Sequence, residues 1–443
     1  MTKVKVAKKN ARKEGRPVAV DADRLPPAQL AELPDDDLLE AVQRRTLRFF
    51  WEGAEPASGM ARDRTMRAAD PDNDLVAIGG TGFGVMAMLV GIERGWITHA
   101  EGLARLERII DVIEPATCFH GAYPHFMHGR TGAVWPFSRK DDGGDLVETA
   151  FLFQGLLCVR EYFDGDGAAE RRLRQRITGL WGEVEWDWYT RGRKVLTWHW
   201  SPNNGFALDH DIHGWNECLI AYVLAASSPR YPVGPEAYHR GFAASRDYGP
   251  PRRYHDIELP IGPDRGGPLF WAHYSFVGLD PRGLKDRYAD YWQQNTAHTL
   301  INYRHCVLNP NGHAGYGPDC WGLTASDDPA GYDAHAPDHD NGVITPTAAL
   351  ASFPYAPEQA MAALRHFLRK HGDRAWGRFG FVDAFCEDRD WFADTFLAID
   401  QGPIIVMIEN HRTGLLWKLF MRIPEIQAGL RKLGFSSPHL APA

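Results

Sequence analysis

No two of the six cysteines (Cys118, Cys158, Cys218, Cys306, Cys320 and Cys386) form a Cys-x-x-Cys pair, and none has zinc-ligand spacing. A disulfide scaffold is not expected in so long a chain, and Cys158 and Cys218, set in apolar stretches, read as free buried thiols. No uninterrupted apolar run reaches the roughly 18 residues of an ordinary membrane span. Basic charge is in deficit, with 49 Lys and Arg against 57 Asp and Glu, which argues against a general nucleic-acid binder. Residues 1–18 hold seven of those basic groups and one Glu, so residues 1–34 read as a solvated, disordered basic tail. That head has no apolar core of the kind a secretory signal carries.

Several familiar chemistries are also missing. The run Gly79-Gly80-Thr81-Gly82-Phe83-Gly84 lacks the phosphate-loop lysine and the dinucleotide spacing, so it reads as close packing of a buried helix. His210 and His213 have one-turn spacing but no glutamate base or third ligand at a familiar offset, which favours hydrogen bonding over a metal. No Gly-x-Ser-x-Gly elbow is present, which weakens a serine hydrolase. Aromatics, by contrast, are plentiful: 15 Trp, 15 Tyr and 22 Phe. Many Trp stand beside Gly, Pro, His or Asp, where an amphipathic ring suits stacking on a flat, hydroxylated face such as a sugar.

Apolar periodicity organises the chain from 35 to 437. The pattern predicts a helix after Asp35-Asp36-Asp37 ending near Trp51, then helices over 76–95, 98–113, 144–163, 168–188, 214–226, 235–245, 271–278, 284–300, 345–353, 357–371, 394–410 and 423–433. Segments apolar all round alternate with amphipathic ones, and strand signals are sparse. Six or seven such hairpins suit an all-α chain folded as a single (α/α)6 toroid, with the apolar helices as the inner ring. The loops 119–143, 197–213, 309–341 and 372–391 are too long for plain connections, and their aromatic content suggests a functional cleft.

Carboxylates recur where apolar helices begin. Asp141, Asp142, Asp145 and Glu148 precede or open the segment 149–158, Glu217 opens another, and Asp400 lies on a third. Burying an ionised carboxylate costs several kcal/mol unless it is paired or used. Helix capping is the ordinary use of one such acid. Three sets facing one funnel would suit glycoside hydrolysis, in which one carboxylic acid protonates the leaving oxygen and a carboxylate activates water or attacks. Arg62-Asp63-Arg64, His120, His125, Asp327-Asp328, Asp333 with His335, and Asp383 could line the same cleft or merely fix its loops.

Five blocks carry a family resemblance: 142–152, 214–222, 267–275, 320–328 and 399–403, with Asp142-Gly143-Gly144-Asp145, Gly214-Trp215-Asn216-Glu217, Gly267-Pro268-Leu269-Phe270-Trp271-Ala272-His273, Cys320-Trp321-Gly322 and Ile399-Asp400-Gln401-Gly402-Pro403 among them. In this order they resemble the glucoamylase-like family, whose characterised members are endo-β-1,2-glucanases of glycoside hydrolase family 144. The resemblance implies an (α/α)6 barrel, a β-1,2-glucan substrate, and an inverting mechanism with neither metal nor cofactor. Matched to the family's essential acids are Asp141, Asp145, Glu217 and Asp400. Glu217, beside Trp215 at an apolar helix, is expected to be the general acid, with the base from Asp141, Asp145 or Asp400 and Asp141 preferred. Trp135, Asp142, Trp198, His213, Trp215, Trp271, His273, Trp321, Asp327 and Trp391 are expected to contact the sugar. Exo-acting or transglycosylating relatives on linear or cyclic β-1,2-glucan, and a non-catalytic carbohydrate-binding protein, are the alternatives. Family members are commonly exported, whereas the basic head reads as no leader, so the compartment stays open between cytoplasmic for the sequence as written and periplasmic or secreted if a native leader is missing.

Overall fold

The computed structural model describes residues 22–68 and 73–440. Most of the expected basic tail, residues 1–21, lies outside them. The remainder of that segment is not all tail: helix α1 (Pro27–Leu30) buries Leu30 and packs on a later helix, because its apolar residues find a surface there.

Helices dominate. They comprise α2 (Asp35–Trp51), α3 (Ile78–Glu93), α4 (His99–Ile113), α5 (Leu146–Tyr162), α6 (Ala168–Gly182), α7 (Leu219–Ser227), α8 (Pro235–Ala237), α9 (Tyr291–Leu308), α10 (Pro346–Leu350), α11 (Pro357–Ala375), α12 (Ala398–Arg412), α13 (Leu415–Met421) and α14 (Pro424–Lys432). Local chemistry sets several boundaries. Thr98 and Glu101 close a capping box at α4, where the Thr98 hydroxyl accepts from Glu101 N–H at 3.2 Å and the Glu101 carboxylate accepts from Thr98 N–H at 2.9 Å. Helix α9 begins later than its apolar pattern suggests, because the Asp290 carboxylate accepts from the N–H groups of Trp292 (3.0 Å) and Gln293 (3.2 Å).

Helices α3, α5, α7 and α12 are buried on nearly every face. Helix α12 lies against α2 and α3, α3 against α5, and α5 against α7, while α4 and α6 cover α3 and α5 from outside. The glycine run is the seam of the α3–α5 contact. A Cβ on Gly82 would stand 2.2 Å from the Phe151 carbonyl oxygen, and one on Gly155 would stand 2.1 Å from that of Gly82. The sequence expectation of close packing here holds.

Two expected helices are much shorter than their apolar patterns. Residues 271–278 form 3-10 turns (Leu269–Ala272 and Tyr274–Val277), and 235–245 becomes α8 followed by a π-turn (Tyr238–Phe242). The long loops fold into strands of two to four residues. Three of these strands lead directly into inner helices: Leu75–Ala77 into α3, Gly144–Asp145 into α5, and Thr395–Leu397 into α12. The partners of these strands are Phe126–His128, His199–Trp200 and Arg64–Met66, in that order. Loop residues are thereby pinned over the N-termini of inner helices.

A methyl group at the α3–α5 seam meets backbone that cannot move aside. Gly82→Ala is expected to lower unfolding free energy by about 1–3 kcal/mol in urea titration. Gly167→Ala, where nothing lies within 4 Å of the added carbon, should stay within about 0.5 kcal/mol of the parent.

Candidate active site

Asp145 ends the strand and caps the helix. It has extended geometry (φ −111°, ψ 110°) and pairs across the ladder with His199. Its Oδ1 accepts from the N–H groups of Val147 and Glu148, each at 2.9 Å. Its Oδ2 faces His125 Nδ1 at 3.1 Å and His199 Nε2 at 3.5 Å. The side chain is wholly buried. Burial opposes its charge, but hydrogen bonds to His125 and His199 outweigh burial and hold the carboxyl well below the usual range.

That fixed negative charge sets its neighbours. Burial works against a charged His125, yet Glu148, Asp145 and Asp141 push its pKa up to about 9. Burial likewise opposes charge on His199, which Asp145 and Asp141 raise. Asp141, whose Oδ2 lies 3.3 Å from His199 Nε2, is pushed up to about 6, first by burial and then by the Asp145 charge. Burial takes Glu148 up to about 7 against the pull of His125. Glu148 Oε2 accepts from Gly79 N–H at 2.7 Å in the first turn of α3, and a Cβ on Gly79 would stand only 2.7 Å from that oxygen. His125, Asp141 and Asp145 bring possible metal-ligand atoms within 4.8 Å of one another, although protein donors already engage both Asp145 oxygens.

Glu217 lies in the turn two residues ahead of α7. Its carbonyl accepts from the Ser275 hydroxyl, whose oxygen accepts from Ile220 N–H at 3.0 Å, and this locks the turn. Its carboxyl is pushed up to about 7, mainly by burial, with Asp145 and Glu148 adding to the shift. Asp400, in the first turn of α12, is buried, and neither of its oxygens meets a donor among the described residues. Burial and the adjoining Asp383 carboxyl raise it well above the ordinary value. Asp383 is itself pushed up to about 7 by burial and Asp327, and its Oδ2 accepts from Asp327 N–H at 2.6 Å. Two adjoining carboxyls in such a place are compatible when they share a proton. Arg64 anchors the group by donating to Asp327 Oδ1 at 2.9 Å, while the Thr395 hydroxyl holds the other Asp327 oxygen.

Tyr274 links the two sides. Its hydroxyl is buried without a partner among the described residues, and its pKa is raised by burial and then by Asp400, Tyr332, Glu217 and Asp383. Of the four acids expected as catalytic, Asp145, Glu217 and Asp400 fall at or near the N-terminal ends of α5, α7 and α12, and Asp141 lies in the turn ahead of α5. The Asp145 charge acts on Glu217, and those of Glu217 and Asp400 act on Tyr274.

The expected sugar contacts divide. Trp198 stacks on His210 at 4.9 Å, Trp135 is 40% exposed with His128 at 4.6 Å, His213 is exposed, and Trp271 and Trp391 are half-buried. Asp142 accepts from Asn203 Nδ2 at 2.6 Å, and its other oxygen is buried with no partner among the described residues. Three of the expected contacts are core residues instead. Trp215 packs between Phe276 and Tyr291, Trp321 donates its Nε1–H to the Gln359 carbonyl at 3.2 Å, and His273 pairs with Ser352 Oγ at 3.0 Å while burial takes its pKa down to about 3. Their polar sequence neighbours belong to loops that themselves fold inward. Asp327 supports Asp383 rather than facing outward, and His210-x-x-His213 makes no helical turn because Thr197 bridges to Asp211. Sequence reasoning did not single out His199, Tyr274 or Tyr332. Only strand pairing and tertiary folding bring them to the acids, although the alternation Trp198-His199-Trp200 was a signal for the first.

A family model described as Glycoamylase, Putative glucoamylase, matches residues 209–424, which include Glu217 and Asp400. An exo β-1,2-glucooligosaccharide sophorohydrolase (non-reducing end) of Parabacteroides distasonis is 45% identical over 423 residues, which is 90% of this chain, and the chain spans 58% of that curated relative's length. The solved endo-β-1,2-glucanase of Chitinophaga pinensis, in complex with sophorotriose and glucose, is 52% identical with a TM-score of 0.90, the match covering 92% of this chain and all of that one. A β-1,2-glucanase structure from Parabacteroides distasonis is 44% identical with a TM-score of 0.87, over 91% of this chain and 60% of that one. The chain belongs to the glucoamylase-like family.

The site makes stability depend on pH with a definite sign. His125 (6.5 to about 9), Asp141 (3.8 to about 6) and Glu148 (4.5 to about 7) all hold protons more tightly when folded. Their contribution is full below the unfolded values and is lost as pH rises through the folded ones, whereas Asp145 acts oppositely at the acid end. Urea midpoints should fall as pH is raised from about 6 to about 9, and His125→Gln should flatten the upper part of that decline. A midpoint that rises over this interval would contradict the assignment.

Proposed function

We propose that the chain is a glycoside hydrolase of family 144 type that cuts β-1,2-glucan internally, with inversion, through a general acid and a carboxylate-activated water. The observation that carries this reading is Glu217, a carboxyl pushed up to about 7 chiefly by burial and set among further acids at the ends of inner helices. A group with that pKa holds its proton near neutrality and can still release it to a leaving oxygen. The β-1,2-glucan named for the similar proteins of Chitinophaga pinensis and Parabacteroides distasonis supports the linkage. Residues 35–437 are proposed as one catalytic domain with (α/α)6 architecture. Support comes from the succession α12, α3, α5 and α7 on the inside, with α4 and α6 outside.

In the proposed reaction the Glu217 carboxyl gives its proton to the glycosidic oxygen as the C1–O bond breaks. Water attacks C1 from the opposite face, and Asp141 takes the proton that water loses. Asp141 suits the role better than its neighbours: its pKa of about 6 leaves a basic carboxylate at neutral pH. Asp145 is committed to capping α5 and to two imidazoles, and burial and Asp383 raise Asp400 well above the ordinary value, which favours its protonated form. The half-buried and exposed rings of Trp135, Trp198, Trp271 and Trp391 offer stacking faces for sugar units.

Glu217→Gln, which preserves shape while removing the acid, should lower turnover on β-1,2-glucan by about 10²–10⁴-fold, measured as reducing-end release. Retention of more than about a tenth of the parent rate would refute the acid assignment. The same reaction followed by chromatography should give a ladder of oligosaccharides. Sophorose as sole product would indicate exo action, and products longer than the substrate would indicate transglycosylation.

A further inference from the structure

Away from the acids, three separate segments converge on another set of ligating atoms. Cys320 closes the small turn bridged to Gly317, His366 and His371 lie on α11, and Glu387 opens the 3-10 turn Glu387–Arg389. One ligating atom from each of the four lies within 4.8 Å of the others. Cys320 and His371 are buried, and His366 Nε2 is a buried nitrogen with no hydrogen-bond partner among the described residues. His371 Nε2 stands 2.9 Å from Glu387 Oε1, while Lys370 Nζ contacts both oxygens of that carboxylate, Oε2 at 2.8 Å.

We propose that Cys320, His366, His371 and Glu387 form a structural zinc site. A thiolate, two imidazoles and a carboxylate make a four-ligand set of the kind a closed tetrahedral zinc centre takes, and sulfur with nitrogen selects against magnesium or calcium. Ligand atoms about 2.0–2.3 Å from zinc lie roughly 3.3–3.7 Å apart, so the set closes by about 1 Å through side-chain rotation. Glu387 binds through Oε1 while Lys370 keeps Oε2. The Cys320 thiol gives up its proton to solvent as the Zn–S bond forms, and His371 ligates through Nε2 with its proton on Nδ1. With neutral imidazoles as ligands, the Cys320 thiol proton is the one released for each zinc bound, and the zinc charge offsets the burial that pushes that thiol up to about 12.

The site ties α11 to two of the long loops. One of them, 309–341, carries Asp327, and the other, 372–391, carries Asp383, so the clamp holds the two loops whose acids bond to each other beside Asp400. Contiguous spacing rules could not find it, because the cysteine, the histidines and the glutamate come from three segments.

The test uses the full chain purified without chelator, equilibrated with micromolar zinc and passed through gel filtration. Elemental analysis should give close to one zinc per chain, and Cys320→Ser and His371→Ala should each lower retention at least tenfold. Cobalt in place of zinc should give a near-ultraviolet sulfur-to-cobalt charge-transfer band in the parent protein, which decides the matter even if a variant fails to fold. Zinc below about a tenth per chain, or cobalt bound without that band, overturns the proposal. Both readouts are independent of sugar cleavage, so this site and the proposed hydrolysis stand or fall separately.

Discussion

The site depends first on one buried negative charge. Asp145 has no exposure to water, and an ion so placed costs several kcal/mol unless every oxygen is satisfied. Two backbone N–H groups at the start of α5 and two imidazoles from neighbouring segments meet that need. Once Asp145 is ionised, His125 and His199 both bind protons more tightly than free imidazoles, and the acids packed beside them cannot all ionise as they would in water. Asp141 and Glu148 move up as Asp145 moves down. The same carboxylate that caps a helix thus distributes protons among its neighbours.

Asp400 and Asp383 repeat the logic on the far side with no imidazole. Arg64 pairs with Asp327, Asp327 donates its N–H to Asp383, and the Asp383 and Asp400 carboxyls are both raised by burial and by neighbouring carboxyls. Glu217 is raised mainly by burial, with Asp145 and Glu148 adding to the shift. The fold produces these environments by one device used repeatedly, a short strand or tight turn leading into an apolar helix. It brings loop side chains over helix ends while glycines such as Gly82 and Gly155 let the helices approach closely.

Much of this was legible in the sequence for physical reasons. Apolar stretches with helical period located α2–α7, α11, α12 and α14, since a helix buried on all sides has no choice of composition. The acids at 141–148, 217 and 400 stood out because charge against an apolar run demands an account. Illegible were features that depend on distant pairing. His199 meets Asp145 across a ladder, and Tyr274 reaches Glu217 and Asp400 only through tertiary folding. Trp215, Trp321 and His273 misled because local polarity resembled a loop surface, whereas the loops fold inward and bury them. The expected helix at 271–278 became two tight turns, and one of them carries Tyr274.

The central claim is that desolvation holds a proton on Glu217 near neutral pH. A carbon-13 NMR titration of the labelled carboxyl, assigned by its loss in Glu217→Gln, measures that directly. The account predicts a midpoint near 7, and a midpoint at the ordinary value of 4.5 would contradict it.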